Sequence, residues 1–392
     1  MLKVKKRAQE LFGYEYSNKE DLLLKNIQML KSFSVEEYTL YKKWYEVNTN
    51  QNRLLHGKAE NAKHYIWKPR DIFNVNSTID DINNIYPKIV YVTHDSIYDE
   101  IWLIMRIFGH TMEFDINPGR FNRIIIIDEP TKKILGIVSI ASDVTSISLR
   151  DKFIGWSKQN KFIDKKINNS AIANCIMALQ PFGFNFLGGK LIASLVTTDE
   201  IRNMWKNNYN ESLIGITTTS LYGSVSMYNS IPYWKRLGET DGKIIIKPDD
   251  NVYFEWIDFL TKTNKKLYES LIHTEQGKVK SSPKQNVLRL IFKQAGIKNV
   301  EHGFKRGLYY SMFYKNGNDF LCNKIPDSDL ILRNIFERNI NGILDWWKPK
   351  AIKRYQNLID QKRINSNLLF YNDIIGKTWD YTKDAYLNDV GR

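Results

Sequence analysis

Apolar residues recur at helical spacing through the first sixty positions, with Leu22, Leu23, Leu24, Ile27, Leu30 and Phe33 along one segment. Ser34 ahead of Val35-Glu36-Glu37 reads as an N-cap with acids in the first turn, and Trp44 and Tyr45 fall on the helix that follows. From Trp67 to Pro87 the chain turns polar and rich in Asn and Asp, the signature of a linker. The period then changes. Ile89–Val92 reads as a strand, Tyr98–Phe108 as a helix and Asn117-Pro118-Gly119-Arg120 as a turn. Arg123–Asp128 carries four consecutive Ile and predicts a buried strand, joined through Glu129–Lys133 to a partner at Ile134–Ile140. Further strands are predicted at 172–179, 212–219 and 243–247, with a glycine-rich turn at 183–189 and helices at 190–195 and 199–207. After Pro248 helical patterns return at 252–272, 287–295 and from 329 onward, and 301–314 reads as a turn followed by a run of aromatics. These shifts predict a helical segment with its linker at 1–87, an α/β core at 88–250 and a basic, mainly helical region at 251–392.

The 392 residues include 43% hydrophobic residues, enough for a substantial core. The net charge is +14, which favours a polyanionic partner, although a composition rich in Lys, Asn and Ile accounts for part of the surplus. Only Cys175 and Cys322 are present, and no two of the six His stand at metal-ligand spacing, so neither a disulfide framework nor a metal site is expected. No run reaches the ~18 apolar residues of a membrane span, and the N-terminus has no signal-peptide stretch, so a cytoplasmic protein is expected.

Candidate chemistry centres on 134–242. A strand leads through Gln180-Pro181-Phe182-Gly183 to Leu187-Gly188-Gly189-Lys190 and a helix, and a second strand precedes Trp234-Lys235-Arg236-Leu237-Gly238. This order resembles the core of acyltransferase-type folds of the GNAT class, which implies a mixed central sheet with flanking helices. In that class a glycine turn at a helix N-terminus cradles the donor's phosphates. The likeness therefore makes Gln180, Gly188, Gly189 and Lys190 the candidate holders of an acyl-CoA-like or other phosphate-bearing donor. The segment Met227–Glu239 resembles the acetyltransferase region whose tyrosine protonates the leaving thiolate. Here Trp234 falls at that tyrosine position, leaving Tyr228 and Tyr233 as the candidate acids.

A closer resemblance rests on Arg150-Asp151-x-x-Ile154-Gly155-Trp156, on Ile167-Asn168-Asn169-Ser170 and on Trp234-x-x-Leu237-Gly238-x-Thr240-x-Gly242. Over about residues 88–245 these are similar to the DruA family of the Druantia anti-phage systems, in a form that looks like its phage-encoded branch. A weaker, fold-level likeness is to Mom, a GNAT-like DNA-modification protein. The DruA resemblance implies nucleic-acid work in phage–host conflict, with DNA as partner and further proteins in a phage or defence complex.

Within that frame His110 or Asp143 is the candidate base. His110 has Glu113 and Asp115 nearby in sequence, and Asp143 follows a buried strand. Arg150 is a candidate phosphate ligand and Trp156 a candidate stacking surface for a base. Read on a strand, Arg150 and Asp151 would point apart. Ser220 and Tyr222 end the Thr-rich strand. Lys348, Lys350, Lys353 and Arg354, interleaved with Trp346 and Trp347, are candidates for the nucleic-acid backbone. The expected activity is transfer of a group to a nucleobase. A non-catalytic DNA-binding component is the second expectation, and a metal-dependent nuclease using Asp128, Asp143 and Asp151 the third.

Overall fold

The computed structural model describes residues 19–49, 55–114, 119–221, 223, 226–280, 283–333, 339–368 and 370–387. The chain is mixed α/β, built on one seven-stranded sheet with flanking helices. The strands are β1 (Pro87–Tyr91), β2 (Phe121–Asp128), β3 (Lys133–Ser142), β4 (Ser170–Ala178), β5 (Gly215–Ser220), β6 (Lys235–Glu239) and β7 (Gly307–Met312). Their order across the sheet is β1-β2-β3-β4-β5-β7-β6. Every neighbouring pair is antiparallel except β4 and β5. That parallel pair is short: Ser170, Ala171 and Ile172 face Gly215, Ile216 and Thr217, and the register ends there although β4 runs on to Ala178.

The four isoleucines of β2 show why the sheet is central. Ile124 and Ile126 enter one core while Ile125 and Ile127 enter the other, so the strand is apolar on both faces. The first core gathers Trp67, Phe182, Phe186, Trp347 and Tyr355 with helices Gly188–Leu195, Asp199–Tyr209 and Ile340–Asp360. The second is filled by helix Ile97–Gly109, whose Ile101, Trp102, Ile104, Met105 and Phe108 pack with Ile137, Met177 and Phe370.

The chain divides into two compact units, each assembled from separate stretches of sequence. One unit holds residues 1–41 and 241–304, and the other holds 42–240 and 305–390. The first unit is helical, with Lys19–Ser32, Asp250–Thr263, Lys265–Ile272 and Pro283–Gln294. Its two pieces are tied at Asp249, whose carboxylate accepts from Asn26 Nδ2 (2.7 Å) and Tyr41 Oη (2.6 Å). The second unit contains the whole sheet.

Three segments differ from expectation. The supposed linker 67–87 contains buried Trp67 and helix Val75–Asn84, capped by the Asn74 side chain on Ser77 N. Its Thr78 and Ile82 face inward, a narrow apolar side masked by Asn and Asp at the remaining positions. The predicted strand at 243–247 makes only a single bridge, Ile245 to Glu301. Instead, 307–312 is a fully buried strand, next to last in the sheet between β5 and β6.

Candidate functional site

The motif Arg150-Asp151-x-x-Ile154-Gly155-Trp156 lies on helix Ser148–Ile154 and not on a strand. Gly155, at φ 86°, ends the helix in a left-handed conformation that glycine adopts without strain. On this helix Arg150 and Asp151 pair. The guanidinium donates to Asp151 Oδ1 from Nε (3.0 Å) and Nη2 (2.7 Å), to Val144 O (2.8 Å) and to Asp143 Oδ1. Asp143 Oδ2 accepts from Ser170 and Thr217, the hydroxyls at the start of β4 and within β5. Lys161 closes the far side on Asp151 Oδ2. The Trp156 ring covers the charges, 5.2 Å from Arg150 and 5.4 Å from Lys161, and its indole N–H donates to Leu321 O. Burial pushes the Asp143 carboxyl up, and Arg150 with the two hydroxyls opposes the shift.

This network corrects two expectations. Arg150 is fully enclosed and each of its three guanidinium nitrogens donates to a protein acceptor, so it cannot meet a phosphate as placed. Asp143 is buried with both oxygens engaged by Arg150, Val144 N, Ser170 and Thr217, which leaves no lone pair for a substrate proton. A nuclease triad does not assemble either. Asp128 and Asp143 flank opposite ends of β3, roughly 30 Å apart by strand rise. Asp128 serves the β2–β3 turn, accepting from Tyr86 N and Thr131.

The Gly188-Gly189-Lys190 turn does open a helix, after Leu187 in a left-handed conformation at φ 52°. Its glycines are accounted for by packing. A Cβ on Gly188 would lie 2.4 Å from Phe182 Cδ1 and 2.8 Å from Phe182 O. One on Gly189 would lie 2.9 Å from Met227 Sδ. Gln180 Oε1 accepts from Phe184 N, capping its own turn. Lys190 reaches the carbonyls of Met227 and Asn229, and burial and neighbouring Lys350 lower its pKa. The space where β4 and β5 part is filled as well. Thr218 Oγ1, just past the last paired residues, donates to Ala173 O (2.9 Å) and meets the Tyr228 hydroxyl at 3.4 Å. Tyr228 lies against Trp234, ring centroids 5.3 Å apart, and Trp234 Nε1 donates to Ala193 O. Tyr228, Tyr233 and Trp234 are all buried, and burial raises the Tyr228 phenol far above the usual range. An acyl-CoA-like donor does not fit residues arranged in this way.

His110 is on the other side of the sheet, at the end of helix Ile97–Gly109 in the second core. Its Nδ1 accepts from Met112 N, and burial, with Arg106 and Lys43, holds its pKa well below the ordinary value. Asp115, expected beside it, and Tyr222 lie outside the described residues. The candidate base and the candidate tyrosine acids therefore do not converge. The sequence reading missed Lys43, which is fully buried between Glu46 and Ile107 O and lowered by burial to about 8. Its signal was positional, because Leu40, Lys43 and Val47 share one helix face.

The basic helix Ile340–Asp360 presents its cations differently. Lys348 is tethered to Asn83 O (2.6 Å). Lys350 and Lys353 are exposed, with Lys350 5.2 Å from the Trp346 ring. Arg354 covers the Phe184 ring at 5.0 Å, and burial and nearby Arg363 lower its pKa. Among the described residues no carboxylate forms an ion pair with Lys350, Lys353, Arg354, Lys362 or Arg363.

Sheet, network and basic helix define a mixed α/β protein with a buried ion network at its central motif and exposed lysines on its long helix. The chain belongs to the DruA family: the model of that family, described as Druantia protein DruA, matches residues 39–323. Over 253 residues it is 24% identical to the Druantia protein DruA of Escherichia coli (strain UMEA 4076-1), covering 60% of this chain. The match spans 61% of the length of that relative. No solved structure matches the chain. The ion network falls inside the family match and the helix Ile340–Asp360 lies beyond it.

Proposed function

We propose that this chain is a DNA-binding component of an anti-phage or phage-borne assembly of the Druantia kind, acting in the cytoplasm on a GNAT-type scaffold. The scaffold reading is supported by the single parallel pair, β4 with β5, in an otherwise antiparallel sheet, and by the parting of those strands after three residue pairs. Family membership supports the biological setting. Among the described residues no helix is long and apolar enough to cross a membrane.

The observation that carries the DNA reading is the group Lys350, Lys353, Arg354, Lys362 and Arg363, which has no carboxylate partner among the described residues. Lys190 adds its charge beside Lys350. Such cations repel one another until a polyanion neutralises them, and each phosphate contact releases counterions. Group transfer to a nucleobase has weaker support. It needs Tyr228 and Trp234 to vacate the β4–β5 gap and the glycine turn to be uncovered from Phe182 and Met227.

Fluorescence anisotropy of a labelled duplex across a salt series tests this reading. Affinity should fall steeply with salt, and Lys350→Glu with Lys353→Glu should weaken binding and reduce the salt slope by about two. An affinity that is flat with salt, or unchanged by the two reversals, defeats the proposal. Mass spectrometry of nucleosides from cells expressing the protein decides between binding and modification. A new mass that depends on the protein would restore the transferase reading.

A further inference from the structure

Beyond Gly155 the chain makes a turn that the ion network supports but does not use. Residues Gln159–Ile163 form one π-helical turn, and its last two residues, Phe162 and Ile163, are large and apolar. Phe162 is 47% exposed and Ile163 is 69% exposed. Lys158 just before the turn, Lys165 just after it and Lys152 on the preceding helix are exposed, and none is ion-paired among the described residues. From Asp151 to Lys166 there are five lysines and two aspartates. Both aspartates face protein donors. Asp151 holds Arg150 and Lys161, while Asp164 accepts from Gln159 (3.0 Å), Asn160 (3.4 Å) and Asn323 (3.3 Å). The end of the turn is thus apolar, and the residues that flank it in sequence carry unpaired cations.

The base of the turn is firmly held. Lys161 is buried, bound to Asp151, and lies 5.1 Å from the Phe162 ring centroid. Ser157 Oγ accepts from Asn160 N (3.1 Å) and opens the turn. Trp156 is pinned to Leu321 O, and Lys166 lies 3.5 Å from the Phe320 ring. Through Lys161 the Arg150–Asp151 pair anchors this turn to the core.

We propose that Phe162 and Ile163 form an apolar wedge that enters between base pairs of duplex DNA, with Lys158 and Lys165 on the flanking phosphates. This rests on the DNA-binding reading and adds the place and manner of contact. Two side chains are too little surface for a stable protein interface, which takes about 800 Å² per partner. They do match the Phe, Leu or Ile wedges that unstack a base step, and the flanking lysines suit phosphates. Such an insertion needs a base that does not yield, and the network supplies it.

The test uses the full chain and a duplex carrying 2-aminopurine, whose fluorescence rises when its neighbours unstack. Bound wild type should raise the signal severalfold at low salt. Phe162→Ser with Ile163→Ser should abolish the rise and weaken binding severalfold while the protein still melts cooperatively, and Ile163→Ser alone, at the more exposed position, should keep the wild-type melting temperature and lower the rise. Phe73→Ser, at an exposed apolar position elsewhere in the same unit, should change neither signal nor affinity. Lys158→Ala with Lys165→Ala should lower the salt slope by about two. A wild type that binds without raising the signal, or a wedge variant that raises it normally, overturns the wedge and leaves DNA binding standing. A wild type that does not bind duplex at low salt overturns both.

Discussion

Arg150 and Asp143 form an ion pair in which neither side chain has any exposure to solvent. Two charges taken out of water are tolerated only when each is fully paired, and here every neighbour is arranged to that end. Arg150→Met therefore leaves Asp143 buried with its charge opposed only by hydroxyls and one amide. We expect a loss of about 3–5 kcal/mol in unfolding free energy, read by denaturant titration. Arg150→Lys should recover little of it, because an ammonium cannot make the fork to Asp151. If Arg150→Met melts like wild type yet loses DNA affinity, the residue contacts phosphate after all.

Trp234 is a structural wedge over the β4–β5 gap. Trp234→Ala should cost about 3–5 kcal/mol through the cavity it opens. Trp234→Phe keeps most of the volume and loses the hydrogen bond to Ala193 O, a loss of about 1 kcal/mol plus a smaller packing loss. Equal melting temperatures for the two variants would show that the indole does not fill the gap.

Gly188 and Gly189 should respond differently to alanine. At Gly188 the new methyl meets a ring edge and a backbone carbonyl, neither free to move, and a loss of about 1–3 kcal/mol is expected. At Gly189 it meets the sulfur of Met227, which can change rotamer, and less than about 1 kcal/mol is expected. Thermal melts of both variants decide the matter. A larger loss at 189 would mean that the Met227 side chain is fixed.

Lys43 makes stability depend on pH in the alkaline range. Its pKa falls from 10.5 when unfolded to about 8 when folded, so between these values the unfolded chain holds a proton the folded one has released. Stability therefore rises with pH across that window. The unfolding free energy of wild type minus that of Lys43→Met should climb by about 3 kcal/mol from pH 8 to 10.5. A flat difference would show that Lys43 keeps its proton with Glu46.

His110 has the corresponding effect in acid. Its folded pKa lies well below 6.5, so as pH falls past that value only the unfolded chain gains the proton and stability drops. His110→Asn should remove that part of the acid-side loss. An imidazole that titrates near 6.5 by NMR would contradict the burial described here.

The isoleucine run of β2 and its partner β3 were legible because a strand buried on both faces must be apolar throughout. β7 was not, since Leu308-Tyr309-Tyr310-Ser311 reads as a loop of aromatics until its partners β5 and β6 are known. β6 was hidden for the opposite reason: an edge strand rich in Lys, Arg and Glu carries little apolar signal. In the candidate site, the residue types of Arg150, Asp151 and Trp156 were visible, but their burial was not. A helix in place of the expected strand brought Arg150 and Asp151 together, and long-range partners such as Thr217 and Leu321 leave no local trace.

The sheet is also completed late. β7 belongs between β5 and β6, yet residues 240–306 separate it from β6 in the chain. At 5–20 residues per second, a ribosome needs ~3–13 s to make that stretch. Throughout that time β5 has one unpaired edge and β6 has no strand beside it. Thr240 and Arg306, joined by two hydrogen bonds, mark where the chain leaves the sheet and where it returns. The length of the excursion between them, more than the strength of any strand, sets how long the nascent protein presents an open edge to its neighbours.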